Sequence, residues 1–290
     1  MRASLIKLHI AVFLWGFTGV LGRLITLNEG LLVWYRILIT IITLYVILKR
    51  TGELHKLSRR KVLQLFGVGG IIALHWVFFY GAIKASNVSI TLICLSSSGL
   101  ITALIEPFIV GSKFSFREVA LSLLGIVGIY LIFHFDSKFQ KGIIIGMIAT
   151  FLGVAFSVLN KRLINDISPK TIILYELTGG WLLLTLVMPL YLKYFPPLSL
   201  FPSTIDWVWL LLLSWVCTIL AMDLSLQALK HMSVFTQNLT LNLEPVYGII
   251  LAFIVFNENK NLNASFYIGF GLIAISVAFQ MIRVIRYKKH

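Results

Sequence analysis

The chain has 290 residues, of which 59% are hydrophobic and only 12% charged. About 25% of the residues of a soluble fold are charged. A mean hydropathy of +0.94 therefore excludes a soluble enzyme, a disordered chain and a collagen-like chain. The net charge of +14 reads as cytoplasmic loops facing anionic headgroups, and a nucleic-acid partner is not expected.

A helix that crosses a bilayer needs about 20 mostly apolar residues. Ten runs meet that rule in chain order: Leu5–Leu27, Leu31–Leu48, Val62–Ile83, Val88–Val110, Val119–Phe135, Gly142–Leu159, Thr171–Leu192, Trp207–Leu229, Val234–Phe256 and Ala264–Ile285. The first run is too long for the apolar core of a signal peptide and no small-residue cleavage site follows it, so no cleavable signal is expected. The runs lack the two-residue alternation of barrel strands. Cys94 and Cys217 both lie inside apolar runs, as small core residues do.

Positive charge sorts by side. Connections on the amino-terminal side carry 18 Lys and Arg, the opposite connections 6. The richer side is expected in the cytoplasm, with both termini there. The halves also echo each other. A shift of 146 residues lays Ala82-Ile83-Lys84 over Ala228-Leu229-Lys230, and Val88, Leu95, Gly125, Ile129 and Phe133 over Val234, Leu241, Gly271, Ile275 and Phe279. Five spans per unit is an odd number, so the second unit enters the membrane from the other side. Such an inverted repeat is the build of many secondary transporters, with substrate near the bilayer midplane.

Trp15-Gly16 in the first run, and Leu243-Glu244-Pro245-Val246 leading to Asn257-Glu258 in the ninth, make the chain resemble the EamA family of the drug/metabolite transporter superfamily. The likeness spans nearly the whole chain. The first half departs from the pattern: Gly99 stands opposite Pro245 and Ser112 opposite Glu258, while Glu106-Pro107 comes further along. The resemblance implies an all-α integral membrane protein of about ten transmembrane helices, as two five-helix repeats over residues 1–139 and 140–290. It also implies a bacterial plasma-membrane exporter of amino acids or other small metabolites. A small-molecule substrate, the lipid bilayer and a second copy of the chain are the expected partners, with no cofactor and no metal.

Ionisable groups inside the membrane are costly and need a partner, a cavity or a function. They are Arg36, His75, Glu106, Glu176, Asp223 and Glu244. Helical spacing groups polar residues into stripes: Thr91, Ser98, Thr102 and Glu106 on the fourth helix; Asp223, Gln227 and Lys230 on the eighth; Gln237, Thr240, Glu244 and Tyr247, beside Asn238 and Asn242, on the ninth; His75 with Trp76, Phe79 and Tyr80 on the third. The resemblance implies that these four helices line a central cavity and that the fifth and tenth lie outside it. Candidate substrate contacts are then Trp15, His75, Trp76, Tyr80, Ser98, Thr102, Gln227, Asn238, Asn242 and Glu244. Candidate proton or ion coupling groups are Glu244, Asp223 and Glu106.

Each candidate also has a structural reading. Serines can bond carbonyls of their own helix, Glu106 and Glu176 can pair with loop cations, and Asp223 can pair with Lys230. Arg36 can neutralise Glu244 or hold a substrate carboxylate. An intramembrane enzyme would need clustered carboxylates or a metal motif, and the sequence has no HExxH, no paired-aspartate motif and no P-loop. A channel would need charge rings or a filter sequence. A flippase for lipid-linked substrates is the remaining alternative.

Overall fold

A computed structural model describes residues 2–111, 116–164, 167–241 and 243–287, apart from some side chains within its helices. About 85% is helical, and no strand occurs among the described residues. The helices are α1 (Arg2–Gly16), α2 (Thr18–Leu24), α3 (Glu29–Arg50), α4 (Arg59–Ala85), α5 (Val88–Leu95), α6 (Ser98–Val110) and α7 (Phe116–Phe135) in the first half. The second half has α8 (Gln140–Leu163), α9 (Pro169–Tyr194), α10 (Thr204–Ser214), a π-helical turn (Trp215–Leu220), α11 (Ala221–Leu229), α12 (Val234–Leu241), α13 (Glu244–Phe256) and α14 (Ala264–Tyr287). Short polar side chains start several of them: Asn28, Asn87, Ser168 and Ser203 each accept a hydrogen bond from an amide of the first turn.

Among the described residues, seven helical stretches are long and apolar enough to cross a membrane, and Glu244–Phe256 and Ala264–Ile275 are shorter apolar helices. The surface has membrane character. Phe108 (86%), Leu186 (80%) and Ile254 (72%) are exposed, while Arg36, Glu106, Glu176, Asp206 and Glu258 are buried. Water would reward the opposite arrangement.

Four of the ten apolar runs are not single α-helices. The first breaks at Phe17, the eighth contains the π turn, and the fourth and ninth each split in two. In the ninth, Pro245 stands in the first turn of α13, where its missing N–H costs nothing. The proline therefore begins a half-helix and does not kink a continuous one. The fourth breaks without proline: Ser97 turns its hydroxyl back to the Cys94 carbonyl at 2.8 Å, and the Ser96 and Ser97 amides close tight turns onto Ile93 and Cys94. The 146-residue shift carries the limits of α5 and α6 onto those of α12 and α13.

The two halves make matching bonds, within each half and between them. Lys84 follows Ala82-Ile83 and donates to the Leu27 carbonyl, just before the cap of α3. Lys230 follows Ala228-Leu229 and donates to the Ile167 carbonyl at 3.0 Å, just before the cap of α9. Two carboxylates are exchanged. Glu258, after α13, accepts from the Val88 and Ser89 amides at 3.0 and 2.9 Å and from the Ser89 hydroxyl at 2.6 Å, opening α5. Glu106, in α6, accepts from the Phe235 amide at 3.0 Å, opening α12. Each half thus supplies the anion for the amino-terminal end of the other half's split helix, where free amides and the helix dipole favour negative charge. Arg23 adds an ion pair to Glu258.

Close backbone approach sets the rest of the bundle. A Cβ on Gly128 would fall 2.5 Å from the Gly269 carbonyl oxygen and one on Gly269 would fall 2.5 Å from that of Gly128, so α7 and α14 pack as a pair. Gly142 and Gly146 let α8 meet Ser86 and Cys94, as their spacing suggests.

Replacing Glu258 by alanine leaves two buried amides and a hydroxyl without their acceptor. The expected cost is about 3 kcal/mol or more, read as a fall in the melting temperature of the detergent-solubilised protein. Arg23→Ala is expected to lower it less, because the amides still hold the carboxylate. Equal effects of the two substitutions would contradict this account.

Candidate functional site

The π turn builds the centre of the site. A π turn puts an extra residue into the helix and misaligns its carbonyls. Here it leaves the Cys217 carbonyl free to accept from the Trp15 indole at 2.9 Å. The Thr218 hydroxyl donates back to the Leu213 carbonyl at 2.8 Å and accepts from Arg36 Nε at 2.8 Å. Arg36, 1% exposed, also donates from Nη1 to the Tyr80 hydroxyl at 2.9 Å, and its guanidinium carbon lies 3.8 Å above the Trp76 ring. A planar guanidinium can stack and fork in this way where a lysine cannot. Its remaining N–H groups have no partner among the described residues.

Arg36 faces a cavity of about 130 Å³. At ~10–15 Å³ of such volume per water, it holds roughly ten waters or one small metabolite. Trp15, Thr18, His75, Trp76, Phe79, Ser98, Gln237 and Glu244 line it, together with Thr150, Gly153, Phe156, Ser157 and Asn160 of α8 and Met222, Ser225 and Leu226 of α11. His75 Nδ1 donates to the Ala149 carbonyl at 2.7 Å, and its ring stacks on Phe79. Gln237 donates to the Ser225 hydroxyl at 2.7 Å. The Glu244 carboxylate accepts no hydrogen bond among the described residues. The cavity thus presents a guanidinium, a carboxylate and aromatic faces. No group of three or more His, Cys, Asp or Glu side chains able to hold a metal occurs among the described residues.

Of the residues singled out in the sequence, Trp15, His75, Trp76, Ser98 and Glu244 come together in this wall. Tyr80 lies behind it, holding Arg36. Thr102 is fully buried and donates to its own helix at the Ser98 carbonyl. Gln227 accepts from Lys7 at 2.6 Å and donates to Asp223 at 2.9 Å, away from the cavity. Asp223 therefore pairs with Gln227, and Lys230 is engaged with the Ile167 carbonyl instead. Glu106 holds the start of α12, not a loop cation. Asn242 and the side chain of Asn238 lie outside the described residues. Arg36 forms no ion pair with Glu244.

The α8 wall was missed by the sequence reading. Thr150, Gly153, Ser157 and Asn160 recur at helical spacing on one face of the sixth run, a small and polar stripe that could have revealed it. Among the described residues, helices α7 and α14 contribute none to the lining.

Split helices, an internal repeat and a charged cavity inside an apolar shell define a multi-pass membrane protein of transporter build. The model of the EamA-like transporter family matches residues 3–134 and again 140–281, and the chain belongs to that family. It is therefore a member of the drug/metabolite transporter superfamily. A solved crystal structure, described only as that of a protein, has the same fold, with a TM-score of 0.69 and 17% identity over 99% of this chain and 98% of that one. Among curated proteins, no match is found.

Tyr80→Phe would strip a buried guanidinium of one acceptor. The expected cost is about 1–3 kcal/mol, measured as a lower melting temperature. An unchanged melting temperature would mean that the phenol does not hold Arg36.

Proposed function

We propose that this protein is a secondary transporter that exports amino acids or other small metabolites by alternating access. The observation that carries the reading is the cavity, where Arg36 and Glu244 offer opposite charges among Trp15, Trp76 and Phe79. A zwitterion with an apolar part matches those groups: its carboxylate meets the guanidinium and its ammonium the carboxylate. The volume suits such a molecule and is small for a lipid-linked sugar.

In this reading the chain crosses the membrane ten times, as two inverted five-helix units over residues 1–139 and 140–290, and one unit rocks against the other. Matching limits of the split helices and the paired lysine and carboxylate bonds support it. The richer Lys and Arg content of the amino-terminal side supports a plasma-membrane orientation with both termini in the cytoplasm. Trp15, His75, Trp76, Ser98 and Glu244 are the proposed substrate contacts, with Tyr80 acting through Arg36. Glu244 is the coupling candidate that faces the substrate. Asp223 and Glu106 have protein partners and are weaker candidates for that role. A homodimer is the proposed assembly in the membrane.

The test is efflux from proteoliposomes loaded with mixed amino acids and metabolites, with release identified by mass spectrometry. Wild type is expected to release a few compounds selectively. Glu244→Gln is expected to lose at least about tenfold of that rate, about 1.4 kcal/mol of barrier. Release no greater than from empty liposomes, by folded protein, would overturn the reading.

A further inference from the structure

Glu176 lies on α9 and is fully buried, yet its Oε1 has no hydrogen-bond partner among the described residues. Its Oε2 faces Asn160 Nδ2 at 3.5 Å, long for a hydrogen bond, and Asn160 Oδ1 is likewise buried without a partner. The site is tightly enclosed: a Cβ on Gly69 of α4 would fall 1.6 Å from the Glu176 carbonyl oxygen. Asn160 also lines the central cavity, so it stands between Glu176 and that space.

The charges on the elements packed against α9 are engaged elsewhere or lie in the terminal turns of their helices. On α3, Arg36 is held by Thr218 and Tyr80 and Glu29 by Tyr191, while Lys49 and Arg50 are exposed. On α4, His75 bonds Ala149, Lys84 bonds Leu27, Arg59 and Arg60 are exposed, and Lys61 lies half-buried in the first turn. On α8, Lys161 donates to the Leu229 and Met232 carbonyls, and Lys141 and Arg162 are exposed. Beside α11, Asp223 holds Gln227 and Lys230 donates to Ile167. Among these groups none pairs with Glu176.

An ionised carboxylate only accepts. Against a carboxamide it would take one N–H and leave Asn160 Oδ1 buried without a donor, an expensive arrangement. A neutral carboxyl supplies the missing proton. Its O–H donates to Asn160 Oδ1 while Asn160 Nδ2 donates to the other carboxyl oxygen, and the long contact closes into two reciprocal bonds. We propose that Glu176 and Asn160 form a proton-binding site in the wall of the cavity. Rotation of Asn160 opens the carboxyl to cavity water. The O–H bond then breaks heterolytically, the proton leaves on water, and the carboxylate keeps the electron pair. Use of this proton to drive transport rests on the transporter reading; its occupancy does not.

Infrared spectroscopy of the purified protein in lipid nanodiscs tests occupancy directly. At neutral pH the wild type is expected to show the carbonyl stretch of a protonated carboxylic acid. Glu176→Gln is expected to remove that band, and Asn160→Ala to shift it by deleting both hydrogen bonds. No acid band in the wild type would overturn the proposal without any variant. A band that survives Glu176→Gln, or one that Asn160→Ala leaves unmoved, would also overturn it. So would its loss on adding sodium chloride, which would make this a metal-cation site. Failure of the efflux experiment leaves these readings untouched, so the two ideas fail separately.

Discussion

Polar groups inside an apolar bundle have no water to turn to, and the exchange of carboxylates between the halves meets that constraint. A helix that starts within the bundle leaves its first amides without partners. Glu258 takes the amides that open α5, and Glu106 takes one that opens α12. Each carboxylate is in turn stabilised by the amides it satisfies. The outer ends of the split helices are thus capped by the opposite half, while at the breaks themselves the Ser97 and Leu243 amides turn back onto the Cys94 and Thr240 carbonyls.

The breaks in turn make the cavity. Ser98 and Glu244, the first residues of α6 and α13, occupy equivalent positions beside the two gaps and both face the central space. The π turn adds a third irregularity, and with it come acceptors for Trp15 and Arg36. Irregular backbone at membrane depth is tolerated where it lines a polar space. The charge, the aromatic rings and the backbone irregularities therefore gather in one place for one reason.

Much of this was legible beforehand in particular residues. The Ala-x-Lys pair at Lys84 and Lys230 marked matching helix ends, and both lysines make the same kind of bond. The polar stripes drew attention to Ser98, His75 and Glu244. Sequence position does not show which polar residues satisfy each other or the backbone: Asp223 and Gln227 close locally, Thr102 bonds its own helix, and Glu106 serves a distant amide. It also passed over α8, whose contribution to the wall rests on small residues that carry no chemical signal of their own.

Composition and apolar run length alone determined that the chain is a multi-pass helical membrane protein, because burial in lipid leaves the backbone no option but internal hydrogen bonding. Charge placement and internal similarity carried the repeat. Only the tertiary structure decided which ionisable groups are spent on structure and which face the cavity. Partners 129 to 182 residues apart, such as Glu106 with Phe235 and Arg36 with Thr218, have no local signature. Hydrogen bonds reach about 3 Å in space, and sequence spacing measures distance only within one helix.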